Sequence, residues 1–201
     1  MKTRLFRRAL LMLATAAVTL TACDNNDDIY YKNSTTALVT VRPVEGGSFT
    51  MQLDNTTALA PSNLTQSPFG SKEVRALVNY TPVESERSNM RMVNVNWIDT
   101  ILTKNMAKDM QGQNEATYGA DPLEIVKDWT TVCEDGYLTL RFLTRWGDKQ
   151  PHLVNLVADN SANPYELTFH HKGNTTSGPK ASGLVAFKLS DLPDTNGKTV
   201  D

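Results

Sequence analysis

Cys23 is the residue whose surroundings define a chemistry most directly. It closes Leu20-Thr21-Ala22-Cys23, after a leader that carries Lys2, Arg4, Arg7 and Arg8 and then an apolar run over residues 9–20. Small side chains before the cut let the backbone enter a peptidase, and a thiol can take a diacylglycerol thioether. A run of this length is too short to span a bilayer, which takes about 20 apolar residues, so it reads as the apolar region of a cleavable signal. The expectation is lipidation at Cys23, with an ordinary secretory signal and a chance cysteine as the plainer alternative. Each buried CH₂ contributes about 0.8 kcal/mol, so two or three acyl chains would hold the protein to a membrane that it does not cross.

The other chemistry-bearing residues are sparse. His170 and His171 are adjacent on an expected strand, so their rings point to opposite faces and cannot both chelate one ion. With His152 the only other imidazole, no His-Glu-x-x-His and no paired Cys-x-x-Cys, neither a metal site nor a cofactor is expected. One histidine of the pair should be packed or hydrogen-bonded and the other exposed. There is no Gly-x-Ser-x-Gly elbow and no Gly-rich phosphate loop, so no catalytic residue is assigned and a non-enzymatic protein is expected. Glu134-Asp135 reads as a solvated turn rather than an acid and base. Cys133 reads as a small buried hydrophobe. Strand-borne tryptophan is usually core, which is the expectation for Trp97 and Trp129. Trp146, beside Gly147-Asp148, is the candidate for stacking on a ligand ring. Asp99-Thr100-Ile101 resembles an O-glycosylation site of the Bacteroidota, which makes Thr100 a candidate acceptor against the plainer reading of a strand end.

Charge narrows the partners. The leader holds four of the 20 basic residues and none of the 22 acidic ones, so the mature chain has 16 against 22, a net −6. That disfavours nucleic acid, which requires a positive footprint, and electrostatic attachment to anionic lipid. With Cys23 acylated, Cys133 has no intramolecular disulfide partner.

The elements that must position these residues are strands. Ala37, Val39 and Val41 alternate with polar neighbours, Glu45-Gly46-Gly47 turns, and Phe49, Met51 and Leu53 continue. Val74, Ala76, Val78 and Tyr80 share one face, as do Arg91, Val93, Val95 and Trp97, and five short strands before residue 100 would close a small barrel. After a polar stretch, Leu123, Ile125, Trp129 and Val132 lead into Glu134-Asp135-Gly136, a strong hairpin signal. Leu138, Leu140 and Phe142, then Leu153 to Val157, Tyr165 to Phe169 and Leu184 to Leu189 read as strands of a sandwich.

Asp121-Pro122-Leu123-Glu124-Ile125-Val126, Glu134-Asp135-Gly136-Tyr137-Leu138, His152-Leu153-Val154-Asn155-Leu156 and Phe187-Lys188-Leu189-Ser190-Asp191-Leu192-Pro193 together resemble the NigD-like lipoprotein family, as does Trp97-Ile98-Asp99-Thr100-Ile101-Leu102-Thr103. The resemblance implies an all-β protein, an N-terminal OB-type barrel followed by an antiparallel β-sandwich, in the envelope of a Bacteroidota cell. The organisation expected is a lipoprotein signal peptide over 1–22, an acidic tether over 23–36, the barrel over 37–104, a linker over 105–121 and the sandwich over 122–201. The acidic run after Cys23 resembles a surface-export signal, so an outer-membrane lipoprotein facing outward is expected, with the periplasmic face as the alternative. The functional expectation is capture of a protein, peptide or glycan. The family's association with bacteriocin operons suggests an immunity or inhibitor role as second reading, and an envelope hydrolase is the third.

Overall fold

A computed structural model describes residues 33–83, 89–147, 150–173 and 177–199. The signal peptide, Cys23 and the acidic run after it lie outside the described residues. Five strands form the first domain: β1 (Thr35–Pro43), β2 (Phe49–Gln52), β3 (Ala58–Pro61), β4 (Val74–Pro82) and β5 (Met90–Thr100). They close in the order β1-β2-β3-β5-β4, with β3 and β5 parallel and the other pairs antiparallel. Positive φ at Gly46 and Gly47 makes the β1–β2 turn, where a side chain would be strained. Val39, Val41, Phe49, Met51, Leu59, Val78 and Val93 fill the barrel, each buried aliphatic contributing about 1.5–3 kcal/mol.

Alternation fails at two places, for two different reasons. On β1, Leu38 and Thr40 are buried as well as Val39 and Val41, because the outer face of β1 and β4 is covered by the second domain. On β5, a bulge slips the register between Asn79 and Tyr80, so that Asn79 faces Trp97 while Tyr80 faces Val95. The extra residue, Asn96, donates to Asn79 Oδ1 and Thr81 Oγ1. Past the bulge the inward positions change parity: Val93 and Val95 point in, then Ile98, and Trp97 is turned to solvent. The expectation that Trp97 is core is therefore corrected.

The second domain has one broad and one narrow layer. β6 (Leu102–Asn105), β12 (Lys180–Lys188), β9 (Tyr137–Arg145) and β7 (Glu124–Ile125) lie side by side, and β8 (Val132–Glu134) also pairs with β9. Among the described residues, the facing layer is β10 (Leu153–Val157) and β11 (Thr168–Lys172). The pairs are antiparallel except β6 with β12, which runs parallel. Leu140, Phe142, Val154, Leu156, Val185 and Phe187 make the core between the layers. Gly183 lies opposite Phe142, and a Cβ there would come within 2.7 Å of its ring, so this strand glycine makes room for an aromatic side chain.

Asp135 and Gly136 both have positive φ and join β8 to β9 as the sequence predicts. The preceding run is not one strand. Asp128 Oδ1 accepts from Thr130 N at 2.9 Å and Thr130 Oγ1 at 2.6 Å, which turns the chain between β7 and β8 and leaves Trp129 59% exposed. Cys133 is also exposed. It faces away from the barrel, on a part of the broad sheet that lines an apolar groove with Leu138, Tyr165, Leu167, Leu189 and Leu192. Both buried-core expectations are thus overturned, by a side-chain-capped turn in one case and by a groove left open beside β8 in the other.

Candidate functional site

Three groups of polar side chains are candidates, and their chemistry differs. The first joins the two domains. Arg75, on β4, is fully buried; its Nη1 donates to Thr40 Oγ1 at 2.9 Å and its Nη2 to Glu134 Oε1 at 2.5 Å. The Tyr137 ring lies 5.9 Å from its Cζ, and the Tyr137 hydroxyl donates to Glu73 Oε1 at 2.6 Å. Arg42 donates to Asp135 Oδ1 at 2.8 Å and to Glu73 Oε2 at 3.3 Å. Burial, reinforced by the Glu73 carboxylate, pushes the Tyr137 phenol well above its ordinary range. Glu134-Asp135 is therefore not a solvated turn. It carries two carboxylates to two arginines of the barrel, while Leu38, Ile101, Tyr137 and Ala186 pack beside them. This arrangement orients domains.

The second group is a ladder of rings. Trp146 stacks on His152, with centroids 3.9 Å apart and planes 25° apart, and His152 stacks on His171 at 5.0 Å. Trp146 Nε1 donates to Ala181 O at 3.0 Å. One face of the indole proposed to stack on a ligand is thus occupied by an imidazole of the protein. His152 Nδ1 and His171 Nε2 are 2.8 Å apart, and His171 Nδ1 lies 3.3 Å from the Asp121 carbonyl. A carbonyl only accepts, so His171 carries its proton on Nδ1 and receives one from His152. Burial lowers the His171 pKa, and the His152 charge lowers it further. Gly173 packs on both rings, with a hypothetical Cβ 2.9 Å from each Cε1.

The third group is on the opposite face of β11. His170 is 5% exposed and its Nδ1 lies 3.0 Å from Gly119 O, so that nitrogen donates and Nε2 is left as an acceptor without a partner. Gly119 ends α1 (Asn114–Tyr118) at φ 93°, and a side chain there would run into His171 O and Lys172, so glycine is what lets the helix end approach β11. Residues 105–121, expected as a linker, lie along this narrow layer, with Ala107 N donating to Leu156 O and Asp121 N to His171 O. Buried Asn114 accepts from Met110 N and donates to Asp109 Oδ1 at 3.0 Å and Asp159 Oδ2 at 3.3 Å. A cavity of about 570 Å³ is bounded by Asp109, Glu115, Asp159, Thr168 and His170.

Both adjacent histidines are buried, which corrects the expectation of one exposed ring; their side chains do point to opposite faces. Sequence reasoning weighed the pair at 170 and 171 and missed that the fold brings His152 to His171. The β10–β11 register, which places Val154 opposite His171, was the signal that could have found it. Thr100 is exposed at the end of β5, its hydroxyl donating to Ile101 O at 3.2 Å. Among the described residues, no three His, Cys, Asp or Glu side chains are grouped so as to hold a metal ion.

Comparison with known proteins matches residues 38–101 to the NigD-like N-terminal OB domain and residues 106–201 to the NigD-like C-terminal beta sandwich domain. Among solved structures, a protein of Parabacteroides distasonis described as toxin related is 36% identical, with 84% of each chain covered and a TM-score of 0.71. A protein of unknown function from Bacteroides vulgatus is 22% identical over 79% of this chain and 77% of its own, with a TM-score of 0.64. A NigD-like immunity protein of Bacteroides caccae is 20% identical over 84% and 82%, with a TM-score of 0.58. No curated protein matches.

Proposed function

The chain belongs to the NigD-like family, and from that premise we propose that it is a lipid-anchored, non-enzymatic protein of the cell envelope that binds a protein, peptide or glycan. The observation that carries the reading is the cavity beside α1, where Asp109, Glu115, Asp159 and His170 bound a space of about 570 Å³, large enough for part of a ligand. Recognition suits this geometry better than catalysis. A general base must reach the proton it takes; both ring nitrogens of His171 are engaged, and the free Nε2 atoms of His152 and His170 are buried. Leu20-Thr21-Ala22-Cys23 supports the anchor, and the acidic residues that follow support display at the surface of the outer membrane.

Two measurements test the reading. Cells fed an alkynyl fatty acid should label the wild-type protein and not Cys23→Ser; a labelled mutant contradicts the anchor. Protease added to intact cells should remove the protein while sparing a periplasmic control, and protection would move the proposal to the periplasmic face. A second reading, immunity or inhibition, is favoured by the 36% identical relative described as toxin related. It predicts that deletion sensitises cells to a co-encoded peptide, whereas simple capture predicts no such phenotype.

A further inference from the structure

Trp97 and its neighbours on the barrel form a surface that neither the joint nor the cavity beside α1 uses. The bulge on β5 turns the indole outward, 38% exposed, with Asn79 directly opposite on β4. Bulges re-aim side chains and are over-represented next to functional sites. Two amides lock this face. Asn79 Nδ2 donates to Thr36 Oγ1 at 3.0 Å and Ser34 Oγ at 3.4 Å, and Asn96 Nδ2 donates to Asn79 Oδ1 at 2.8 Å and Thr81 Oγ1 at 3.2 Å. Among the described residues, nothing takes the protons of the three hydroxyls and nothing donates to Asn96 Oδ1. The network holds O–H donors and a carbonyl acceptor beside an apolar ring, and none of its side chains is charged. The other two tryptophans lack this setting. Trp146 is stacked on His152. Trp129 follows Lys127 and Asp128, and Asp128 pairs with Arg141.

We propose that this face binds a neutral polysaccharide, with a sugar ring stacked on the Trp97 indole and its hydroxyls bonded to Asn96 and the hydroxyls of Ser34, Thr36 and Thr81. A sugar ring has an apolar C–H face that suits an aromatic surface, and its hydroxyls both donate and accept. A network with free donors and a free acceptor matches both properties. Because internal hydrogen bonds already fix the two amides, little side-chain freedom is lost on binding. An acidic glycan or a nucleic acid would call for cationic side chains, and the network has none. An extended peptide would seek the free edge of a sheet, whereas β4 and β5 both lie within a closed barrel. Thr36, Asn79 and Trp97 stand opposite one another on three neighbouring strands and span about 10 Å, the scale of a short oligosaccharide. The cavity beside α1 is lined by the second domain, so this surface is separate from it and goes beyond the capture role drawn from that cavity.

The test is affinity electrophoresis of the purified full chain in native gels cast with amylopectin, xyloglucan, galactomannan or arabinoxylan, with polygalacturonate as the acidic comparison. Tryptophan fluorescence is followed in the same titrations. The expected result is retardation by at least one neutral polysaccharide, with a change in emission, and none by polygalacturonate. Trp97→Ala should weaken that binding about tenfold, and Trp97→Phe, which keeps an aromatic ring, should lose less. Asn96→Ala leaves the indole in place and should weaken binding several-fold, which keeps the test open where Trp97→Ala fails to fold. Trp129→Ala, which removes the other exposed indole, should bind as wild type. Migration unaffected by all four neutral polysaccharides overturns the proposal, as does equal retardation by polygalacturonate, or binding untouched by both Trp97→Ala and Asn96→Ala. Binding lost in Asp159→Asn and kept in Trp97→Ala would assign the glycan to the cavity beside α1 and equally overturn it. The envelope reading stands or falls separately, on acyl labelling and protease access.

Discussion

The joint between barrel and sandwich and the cavity beside α1 both gather charged side chains, yet they are built on opposite principles. At the joint, the Arg75, Arg42, Glu134, Asp135 and Glu73 side chains find opposite charges in the protein. At the cavity, Asp109 and Asp159 accept from neutral donors, no lysine or arginine among the described residues pairs with them or with Glu115, and His170 keeps an unmatched buried nitrogen. Charge that is paired internally fixes the relation of two domains. Neutral donors hold a carboxylate in place without countering its charge.

The largest expected effect comes from breaking the joint. Glu134→Gln removes the carboxylate from a fully buried guanidinium and should lower stability by about 3–5 kcal/mol, read as a fall in the urea midpoint at constant slope. Arg75→Met combined with Glu134→Leu should recover much of that loss, since a buried pair replaced by apolar groups is often neutral. If Glu134→Gln unfolds like wild type, the joint does not depend on this pair.

Next in size is the ring ladder on the inner face of β11. Gly173→Ala places a methyl against the His152 and His171 rings and should cost about 1–3 kcal/mol, with the Trp146 fluorescence changing as its stack is displaced. An unchanged emission spectrum would mean that the stack accommodates the methyl elsewhere.

The ladder also sets a pH dependence. The folded His171 pKa lies below its ordinary 6.5, chiefly because burial disfavours the imidazolium, and its neighbours His152 and Asp121 modulate it. A depressed folded value means that the stabilisation is complete above 6.5 and is lost as pH falls through the lower folded value. The urea midpoint should therefore drop as pH falls below about 7, and His171→Gln should flatten that slope. An identical slope in the variant would assign the titration to other groups. Asp128 is held down to about 2, first by the Thr130 hydroxyl and then by Arg141, so its share is lost only at far lower pH and does not confound this window.

Much of this architecture was legible in the chain. The barrel strands, the Asp135-Gly136 hairpin and the alternation of β9 follow from local pattern. What was not legible depended on contacts distant in sequence. Trp97 is exposed because one extra residue, Asn96, shifts parity, and a bulge has no clear mark in a period-two run. Trp129 is exposed because Asp128 caps a turn inside what reads as a strand. Glu134 looked solvated because Arg75 is 59 positions away. His152 finds His171 only through the β10–β11 register, and His170 gains its tautomer from Gly119, 51 residues earlier. The cavity is therefore a tertiary object, assembled from segments around residues 109–115, 159 and 168–170.

The smallest effect is expected where the contrast is sharpest. Glu115→Gln removes an exposed carboxylate that has no ion pair among the described residues and should change stability by no more than about 0.5 kcal/mol. A loss comparable to that of Glu134→Gln would make the cavity a structural feature like the joint.

The most direct test is the tautomer of His170 in the ligand-free protein at pH 7.5, read from long-range proton–nitrogen correlations of the imidazole. The expected result is a proton on Nδ1, donated to the Gly119 carbonyl, and a bare, buried Nε2. A proton on Nε2 alone would leave Nδ1 without a donor for the Gly119 carbonyl and would contradict the contact that holds the end of α1 against β11.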